Sequence, residues 1–283
     1  MFVWSDWIEQ IILGLVIAVA MFLIGFFFDK YIRMPIRRML NSLRFILPFD
    51  SGGEVTICYG LIPPGTTGRN YVAEEGDLAA IYMTYDIFAF LFGRKRIHVQ
   101  SYIVAKDNLA AYPNLVSISG PKWNSVTEML IGELGSPAFF SKSHGNIVYH
   151  TIKNKVKEYQ TTRNPPHLAE KCYGLILSGI IERSDGSKQR VLVCAGNTTL
   201  SMFGTITYLK NLSNARKFRN PFKKHGISSE KKWGLILEVK NNIPDRDGLV
   251  FLPMNPAAIH VRIVDYVSDK EFREPYAYQY EKA

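Results

Sequence analysis

Several short motifs that would identify a catalytic or nucleotide-binding site are absent from this sequence. It contains neither G-x-G-x-x-G nor G-x-x-x-x-G-K-[ST], which disfavours ordinary dinucleotide and P-loop binding. It has no G-x-S-x-G elbow and no H-E-x-x-H pair, and its six histidines show no metal-ligand spacing. No internal repeat and no low-complexity tract is visible, so solenoid and fibrous folds are also disfavoured.

Cysteine is scarce. Cys58, Cys172 and Cys194 are the three cysteines, and each lies in an apolar run typical of a strand. An odd number of cysteines without metal-type spacing argues against a disulfide framework and against a zinc site. We therefore predict three reduced core residues in a cytosolic compartment.

Acidic residues are outnumbered, with 25 Asp and Glu against 34 Lys and Arg, a formal net charge of +9. This excess favours an anionic partner, either a phosphate-bearing ligand, nucleic acid or an acidic membrane surface, and says nothing about fold. With 283 residues, 47% of them hydrophobic, the chain is long enough for one sizeable core and an appendage.

An uncharged run at residues 11–28 is close to the roughly 20 residues that span a bilayer. Five basic residues follow it, namely Lys30, Arg33, Arg37, Arg38 and Arg44. The positive-inside rule then places a short extracytoplasmic N-terminus at residues 1–10 and the remainder of a single-pass protein in the cytoplasm, at an inner or plasma membrane. Residues 29–48 carry apolar residues at helical spacing, which predicts a basic amphipathic juxtamembrane helix on the lipid surface, or else an ordinary helix packed on the domain.

Strand-like and helix-like segments alternate after residue 49. Strands are predicted at residues 54–62, 97–104 and 115–119, and helices at 77–92 and 124–134. This alternation predicts an α/β domain at residues 49–268, with a Rossmann-like mixed, largely parallel sheet and helices on both faces. We expect residues 135–171 to form an insertion with one short strand at 147–151, and residues 269–283 to form a mobile tail.

An antiparallel hairpin is predicted next. Apolar runs at residues 172–182 and 189–194 are joined through Asp185-Gly186, a strong turn signal. Two late strands are expected at residues 233–240 and 259–267. The sheet is therefore predicted to be mixed rather than wholly parallel.

Small polar residues crowd the predicted carboxyl ends of three strands, where open α/β sheets bind their ligands. Parallel strands would bring these loops to one edge, with Arg69 neutralising a phosphate. The candidate ligand-binding residues are Gly65, Thr66 and Arg69 in the first loop, Gly120, Pro121, Asn124 and Ser125 in the second, and Gly196, Asn197, Thr198, Thr199, Gly204 and Thr205 in the third.

Turn and cap chemistry is the alternative explanation for the same residues. Asn124 or Ser125 can cap the following helix, and Ser125 with Glu128 matches a capping box. We predict a polar loop over residues 195–205, with Thr205 as a second cap. A solvated loop arginine is the structural alternative for Arg69.

The pairing of Ser119-Gly120-Pro121-x-x-Asn124 with Ala195-Gly196-Asn197-x6-Gly204-Thr205 resembles Rossmann-like ligand domains that prokaryotes attach to transmembrane helices. Similar loops occur in nucleotide-signal sensors and in nucleoside deoxyribosyltransferase-like or TIR-like domains. The resemblance extends over residues 54–212 and implies a nucleotide-type or NAD-derived ligand.

Three functions follow as hypotheses. The first is a membrane-anchored sensor or effector that binds a nucleotide-type ligand and acts as a homo-oligomer. The second is an N-glycosidic hydrolase or transferase for NAD or nucleosides, with Glu128 as its acid or nucleophile by analogy with carboxylate chemistry on sugars. The third is a scaffold that binds protein partners. No cofactor or metal is predicted, and the tether makes the lipid bilayer a nearer polyanion than nucleic acid for the basic run at residues 210–232.

Overall fold

The computed structural model describes Met21, Phe27 and residues 47–49, 52–63, 75–141, 145–163, 169–210, 223–241 and 259–275. Helices and strands alternate through the first half of the domain, and strands dominate the second half. In chain order the elements are β1 (Val55–Tyr59), α1 (Glu75–Phe92), β2 (Ile97–Ser101), α2 (Tyr102–Ala105), β3 (Asn114–Ile118), α3 (Ser125–Leu134), β4 (Ala138–Phe140), β5 (Ile147–His150), β6 (Val156–Tyr159), β7 (Thr162–Arg163), β8 (Ala169–Glu182), β9 (Lys188–Gly196), α4 (Thr199–Lys210), β10 (Trp233–Asn241) and β11 (Ile259–Val267).

The main sheet has eight strands in the order β11-β10-β8-β9-β3-β1-β2, with β7 beside β8. Pairing is parallel in β2-β1-β3-β9 and antiparallel in β9-β8-β10-β11. The predicted mixed α/β fold is confirmed. Its parallel half comes from the strand–helix units, and its antiparallel half comes from the hairpin and the late strands.

Helices cover both faces of the sheet, as predicted. On one face, α1 and α4 pack on each other and on apolar side chains of β1, β3 and β9. On the other face, α3 packs on β3, β8 and β9 together with β4 and β5. Strand β3 is therefore buried along its whole length, which is why it is an uninterrupted run of mainly apolar residues.

The predicted β8–β9 hairpin is confirmed, and its turn has a local cause. Gly186 has φ of +80°, a conformation that glycine adopts at no steric cost. The Asp185 side chain accepts a hydrogen bond from the Ser187 amide at 2.9 Å. The Asp-Gly pair therefore fixes the register of β8 with β9, where the antiparallel half of the sheet meets the parallel half.

Residues 135–171 are more regular than the expected insertion. They contribute a separate antiparallel sheet in the order β4-β5-β6, and β7 joins the main sheet. The short strand expected at residues 147–151 is present as β5, but the neighbouring strands were not predicted. Their short lengths and polar residues hide the period of two that reveals a longer strand.

Two further boundaries differ from the prediction. Strand β2 ends at Ser101 rather than at Val104, because residues 102–105 turn into the short helix α2. The tail does not begin at Asp269. Residues 269–271 form a 3₁₀ turn with a capping box, and the Arg273 amide donates to the Gly135 carbonyl at 2.8 Å, so this segment packs on the domain.

The predicted membrane segment at residues 11–28 lies outside the described residues, apart from Met21 and Phe27, which are helical. The juxtamembrane helix predicted at 29–48 also lies almost wholly outside them. Among the helices that the structure does describe, none combines the length and the hydrophobicity needed to cross a bilayer.

Candidate functional site

The carboxyl ends of β1, β3 and β9 lie side by side because these strands are parallel neighbours. The helices that follow β1 and β9 lie on one face of the sheet, whereas the helix that follows β3 lies on the other. The chain leaving β3 therefore diverges from the chains on both sides of it. Such a divergence opens a crevice at the sheet edge, the usual ligand position in open α/β sheets.

The chain that leaves β1 contacts the turn after β3. The Leu61 amide donates to the Trp123 carbonyl at 3.0 Å, and the Gly60 amide donates to Ser119 Oγ at 3.3 Å. These bonds connect the chain after β1 to the turn after β3. The predicted site residues Gly65, Thr66 and Arg69 lie outside the described residues.

The second and third loops also meet, at Gly120. A Cβ atom on Gly120 would lie only 2.6 Å from the Gly196 carbonyl oxygen, so only glycine allows this approach. Gly120, Pro121 and Gly196 are partly exposed on the rim of the crevice. The prediction that these loops share one edge is therefore confirmed for the described residues.

Ser119 forms a buried polar contact that the sequence did not single out. Its Oγ donates to Asp77 Oδ2 at 2.6 Å, and its amide donates to Met202 Sδ at 3.4 Å, which connects β3 to α1 and α4. Its φ of +88° is uncommon for a residue with a side chain. At 1% exposure for Ser119 and 5% for Asp77, this pair holds the three elements together rather than facing a ligand.

Asn124 is a helix cap whose side chain is fully used. Its Oδ1 accepts from the Val126 and Thr127 amides, and its Nδ2 donates to Ser117 Oγ at 3.1 Å and to the Ile118 carbonyl at 2.7 Å. It is completely buried. The structure therefore supports the capping alternative and removes Asn124 from the ligand-facing set.

Ser125 and Glu128 occupy the first turn of α3. Because Asn124 is the cap, the capping-box interpretation of Ser125 and Glu128 is wrong. Ser125, Pro121 and Gly120 lie together at the start of this helix and are partly exposed. Asn124 already accepts from the Val126 and Thr127 amides, so what this end of α3 offers an anion is the positive end of the helix dipole.

The third loop is shorter than predicted, because α4 begins at Thr199 instead of after Thr205. Thr198 caps this helix by accepting from the Ser201 amide at 3.1 Å, while Ser201 Oγ accepts from the Thr198 amide at 2.9 Å. Thr199 is partly exposed in the first turn. The cap was therefore placed seven residues too far along the chain.

Gly204 and Thr205 are helix-interior residues, and their assignment to the ligand site is wrong. Thr205 is buried and donates to the Ser201 carbonyl at 2.7 Å. A Cβ on Gly204 would lie 2.5 Å from Val239 Cγ1 of β10. Their small size lets α4 lie close to the sheet. They are therefore buried packing residues.

Asn197 remains as a ligand candidate of the third loop. Its Oδ1 accepts from the Tyr173 amide and from Ser201 Oγ, both at 3.2 Å, and its own amide donates to the Tyr173 carbonyl. Its Nδ2 has no hydrogen-bond partner in the described part of the chain, and the residue is partly exposed. The Asn197 side chain is thus held in place through Oδ1, and its Nδ2 is available to donate to a ligand at the crevice.

A polar cluster lies next to Asn197 on the β8-β10-β11 side, and sequence reasoning missed it. Glu238 is opposite Tyr173 on β8 and opposite Arg262 on β11. It is 4% exposed, and its carboxylate lies 2.8 Å from Arg262 Nε and 3.4 Å from Tyr173 Oη. The signal in the sequence was an acidic residue directly after an apolar run within β10.

Glu238 is ionised at neutral pH. Burial alone would raise the pKa of Glu238, but the interaction with Arg262 and the charges of Lys240 and Lys171 outweigh that effect. The pKa of this carboxyl is therefore held below its usual value. The buried, charged carboxylate of Glu238 therefore lies near several cations. Only strand β8 separates its strand, β10, from β9, which leads into Asn197.

Comparison of the chain with protein-family models, with curated proteins and with solved structures found no match. The function is therefore argued from the geometry of this sheet edge.

The exposed groups at this edge of the sheet are suited to binding a ligand. It offers the Asn197 amide nitrogen, the N-termini of α3 and α4, and nearby cationic side chains. Within the described residues, no group of three or more His, Cys, Asp or Glu side chains is arranged to hold a metal ion. All three cysteines are free and buried, as predicted. Glu128 is partly buried on the first turn of α3, and its proposed catalytic role stays a prediction.

Proposed function

We propose that the α/β domain binds a nucleotide-type ligand at the carboxyl ends of β3 and β9 and acts as a membrane-anchored sensor or effector. The observation that carries this proposal is that the β3 and β9 loops meet at one sheet edge, where the Asn197 side chain has a donor without a partner among the described residues. A base or a ribose offers the acceptors that such an amide needs, and a phosphate suits the two helix N-termini.

Membrane attachment is supported by the uncharged run at residues 11–28 and by the basic residues that follow it. The chain joins the domain beside the C-terminal end of α1. There Phe49 packs edge-on against Phe88 and Phe92, with ring centroids 5.3 and 6.3 Å away. A change at the ligand site can reach this junction through α4, which packs on α1.

Self-association is the third part of the proposal. Three large side chains on α1 are exposed although they are apolar or aromatic, namely Leu78 at 46%, Tyr82 at 73% and Phe90 at 46%. They recur at helical spacing with Asp86 between Tyr82 and Phe90. An antiparallel pairing of two α1 helices about a twofold axis would set Leu78 against Phe90 and Tyr82 against Asp86, whereas parallel pairing would oppose two Asp86 carboxylates.

The ligand site is tested by thermal unfolding of the full chain in detergent with nucleotides, cyclic nucleotides and NAD derivatives. A ligand at 100 times its dissociation constant adds about 2.7 kcal/mol to the free energy of unfolding. Asn197→Asp keeps the oxygen that the Tyr173 amide uses and replaces the free donor by a second oxygen. We expect this variant to lose the ligand-induced shift.

Asn108→Asp is the matched control. Asn108 is exposed, and its neighbour Leu109 accepts from Gln189 at the opposite edge of the sheet, so the same charge change is made away from the crevice. This variant should respond to ligand as the wild type does. If no nucleotide shifts the wild type, the scaffold hypothesis gains instead. Release of a free base or sugar in the same samples would make the protein an enzyme.

A further inference from the structure

A row of basic side chains crosses three strands of the sheet beside Asn197. Lys171 on β8 lies directly opposite Lys240 on β10, and Lys240 lies directly opposite His260 on β11. Each is two residues from Tyr173, Glu238 or Arg262 along its strand, so the row shares their sheet face. We call Lys171, Lys240 and His260 the basic row.

Among the described residues, the carboxylates near this row are too few to balance its charges. Like charges directly opposite each other on neighbouring strands are destabilising, and Lys171 and Lys240 are such a pair. The nearby carboxylate is Glu238, which already pairs with Arg262 at 2.8 Å and lies 3.7 Å from Lys240 Nζ. Three cations therefore surround one carboxylate.

A nearby cation shows the contrast. Lys157 Nζ lies 2.9 Å from both carboxylate oxygens of Asp265, so its charge is matched within the protein. Lys171 has an aromatic neighbour instead, with its ammonium 5.9 Å from the centre of the Tyr173 ring. The row is thus arranged as a site for an external anion would be.

Position connects the row to the crevice. The Tyr173 backbone is hydrogen-bonded to Asn197 on one side of β8. On the other side, Tyr173 lies opposite Glu238 of β10. The row spans two strand spacings, roughly 10 Å, which fits one or two phosphate groups better than an extended polyanion. Lys and Arg side chains at such a site form charge-assisted hydrogen bonds to phosphate oxygens.

We infer that the basic row binds the phosphate groups of the ligand, which makes that ligand a phosphorylated nucleotide rather than a nucleoside or a free base. This inference rests on the proposed function, because it assigns the anionic part of the same ligand. The row holds the phosphates, and Asn197 contacts the uncharged part.

The test uses pyrophosphate, which has no base and no sugar. Thermal unfolding of the full chain in detergent is followed as pyrophosphate replaces chloride at constant ionic strength. Lys171→Gln removes one charge of the row without removing an ion pair of the described residues, because none of their carboxylates lies within ion-pair distance of Lys171. We expect pyrophosphate to bind this variant about tenfold more weakly, because one charge-assisted contact is lost. Lys171→Arg should restore binding.

The ligand-free melting temperature separates this role from a structural one. Lys171→Gln relieves repulsion from Lys240 and loses a favourable charge interaction with Glu238, so these two effects oppose each other and the melting temperature should change little. A clear drop would make Lys171 a structural residue and overturn the inference. Lys188→Gln is the control, since Lys188 is exposed at the opposite end of β9 and only 3.9 Å from Glu182. If Lys188→Gln weakens pyrophosphate binding equally, the effect comes from the net charge of the protein and the inference fails.

Nanodiscs of phosphatidylcholine and of phosphatidylglycerol distinguish a soluble phosphate from a lipid headgroup. The same pyrophosphate response in both bilayers supports the inference. If phosphatidylglycerol alone stabilises the protein through Lys171 and abolishes the response, the row binds the membrane and the inference fails.

Failure of this inference and failure of the proposed function give different results. If nucleotides raise the melting temperature in a way that depends on Asn197 but not on Lys171, the proposed function is supported and the basic row is not the phosphate site. If pyrophosphate binds through Lys171 and no nucleotide binds more tightly than pyrophosphate, the row is a phosphate site. The proposal of a nucleotide ligand is then wrong.

Discussion

Glu238 is a residue whose position in the fold costs free energy unless its partners are present. The strand buries its carboxylate to 4% exposure, and Arg262 and Tyr173 contact it from the two neighbouring strands. Of the charged pair only Glu238 is desolvated, because the Arg262 side chain is 58% exposed, so the buried carboxylate depends on its partners more than they depend on it. The consequences of substituting it can therefore be predicted from these contacts.

Glu238→Gln should lower the free energy of unfolding by about 1–3 kcal/mol at pH 7, because the charged partner of Arg262 is lost. The pKa of Glu238 lies below its usual 4.5 in the folded state. Its stabilisation is therefore complete above about pH 4.5 and is lost as the pH falls through the folded pKa. Denaturant unfolding of both proteins from pH 7 to pH 3 should show the difference shrinking.

The control for this change is Glu182→Gln. Glu182 is 77% exposed and lies 3.9 Å from Lys188, so its ion pair contributes little in water. A destabilisation by Glu238→Gln no larger than that of Glu182→Gln would show that burial of the carboxylate has no energetic consequence.

The cysteine thiols should be unreactive in the native protein. Burial raises the pKa of Cys58 and of Cys172 to about 12, and raises that of Cys194 as well. Thiolate is the reactive form, so Ellman's reagent at pH 8 should label none of the three before denaturation and all three afterwards. Rapid labelling of a native thiol would show that its strand opens.

At the scale of elements, the contact of α4 with the sheet decides how the site edge is built. Gly204 places the helix against Val239, and the first turn of α4 then carries Thr198 and Thr199 to the crevice. The helix follows the strand after a loop of only two residues, Asn197 and Thr198. Any shift of α4 away from β10 therefore moves the site as well.

Gly204→Ala should destabilise the protein by about 1–2 kcal/mol. Alanine favours a helix by about 1 kcal/mol over glycine, but overpacking costs about 1–3 kcal/mol. The new Cβ would lie 2.5 and 2.7 Å from the two methyl carbons of Val239, which is fully buried and stiff at χ1. The clash therefore outweighs the helix preference in chemical denaturation.

A double-mutant cycle and a control complete this prediction. Adding Val239→Ala should make Gly204→Ala less costly, since the clashing methyl groups are gone. Gly52→Ala is the control because no atom lies within 4 Å of its new Cβ. Additive costs for Gly204→Ala and Val239→Ala would contradict the packing argument.

The outer face of α1 is the second element with a testable consequence. Tyr82→Glu should convert a dimer into a monomer in size-exclusion chromatography with light scattering of the detergent-solubilised chain, because the new carboxylate would face Asp86 of the other copy on both sides of the twofold axis. Ile152→Glu is the matched control, since Ile152 is 62% exposed in the turn between β5 and β6, away from α1. A wild-type monomer, or equal loss in both variants, would contradict pairing through α1.

For the whole molecule, the sheet gathers the proposed ligand chemistry at one edge and the domain joins the N-terminal segment beside α1. The basic row, Asn197 and the α3 and α4 N-termini are brought together by strand order, whereas Phe49 packs where α1 ends. The proposed ligand site and the proposed membrane tether would therefore be connected through α4 and α1, which pack on each other.

Membrane anchoring predicts that the chain stays in the pellet after alkaline carbonate extraction and that a chain beginning at Leu47 is released. The physical reason is that burying an apolar run at residues 11–28 in lipid removes it from water. A tag at the N-terminus should be digested by protease outside the cell and a tag at the C-terminus should be protected. Release of the full chain by carbonate would rule out a span.

Local patterns were sufficient for much of the fold. The period of the apolar residues and the Asp185-Gly186 turn predicted the hairpin, β3 with α3, and the late strand Ile259–Val267 with its bounds. The crowding of Gly120 and Gly196 after two strands also predicted that their loops meet. Each of these signals lies within one element or the turn after it, where the backbone geometry depends on neighbouring residues alone.

The tertiary structure alone decided which polar residues face the crevice. Asn124, Gly204 and Thr205 have the composition of a ligand loop, but the packing of α3 and α4 on the sheet buries them. Glu238 and Arg262 are far apart in sequence, and the register of β10 with β11 sets them side by side. A residue type shows what a side chain can bond to, whereas long-range register and helix packing decide which partners it has.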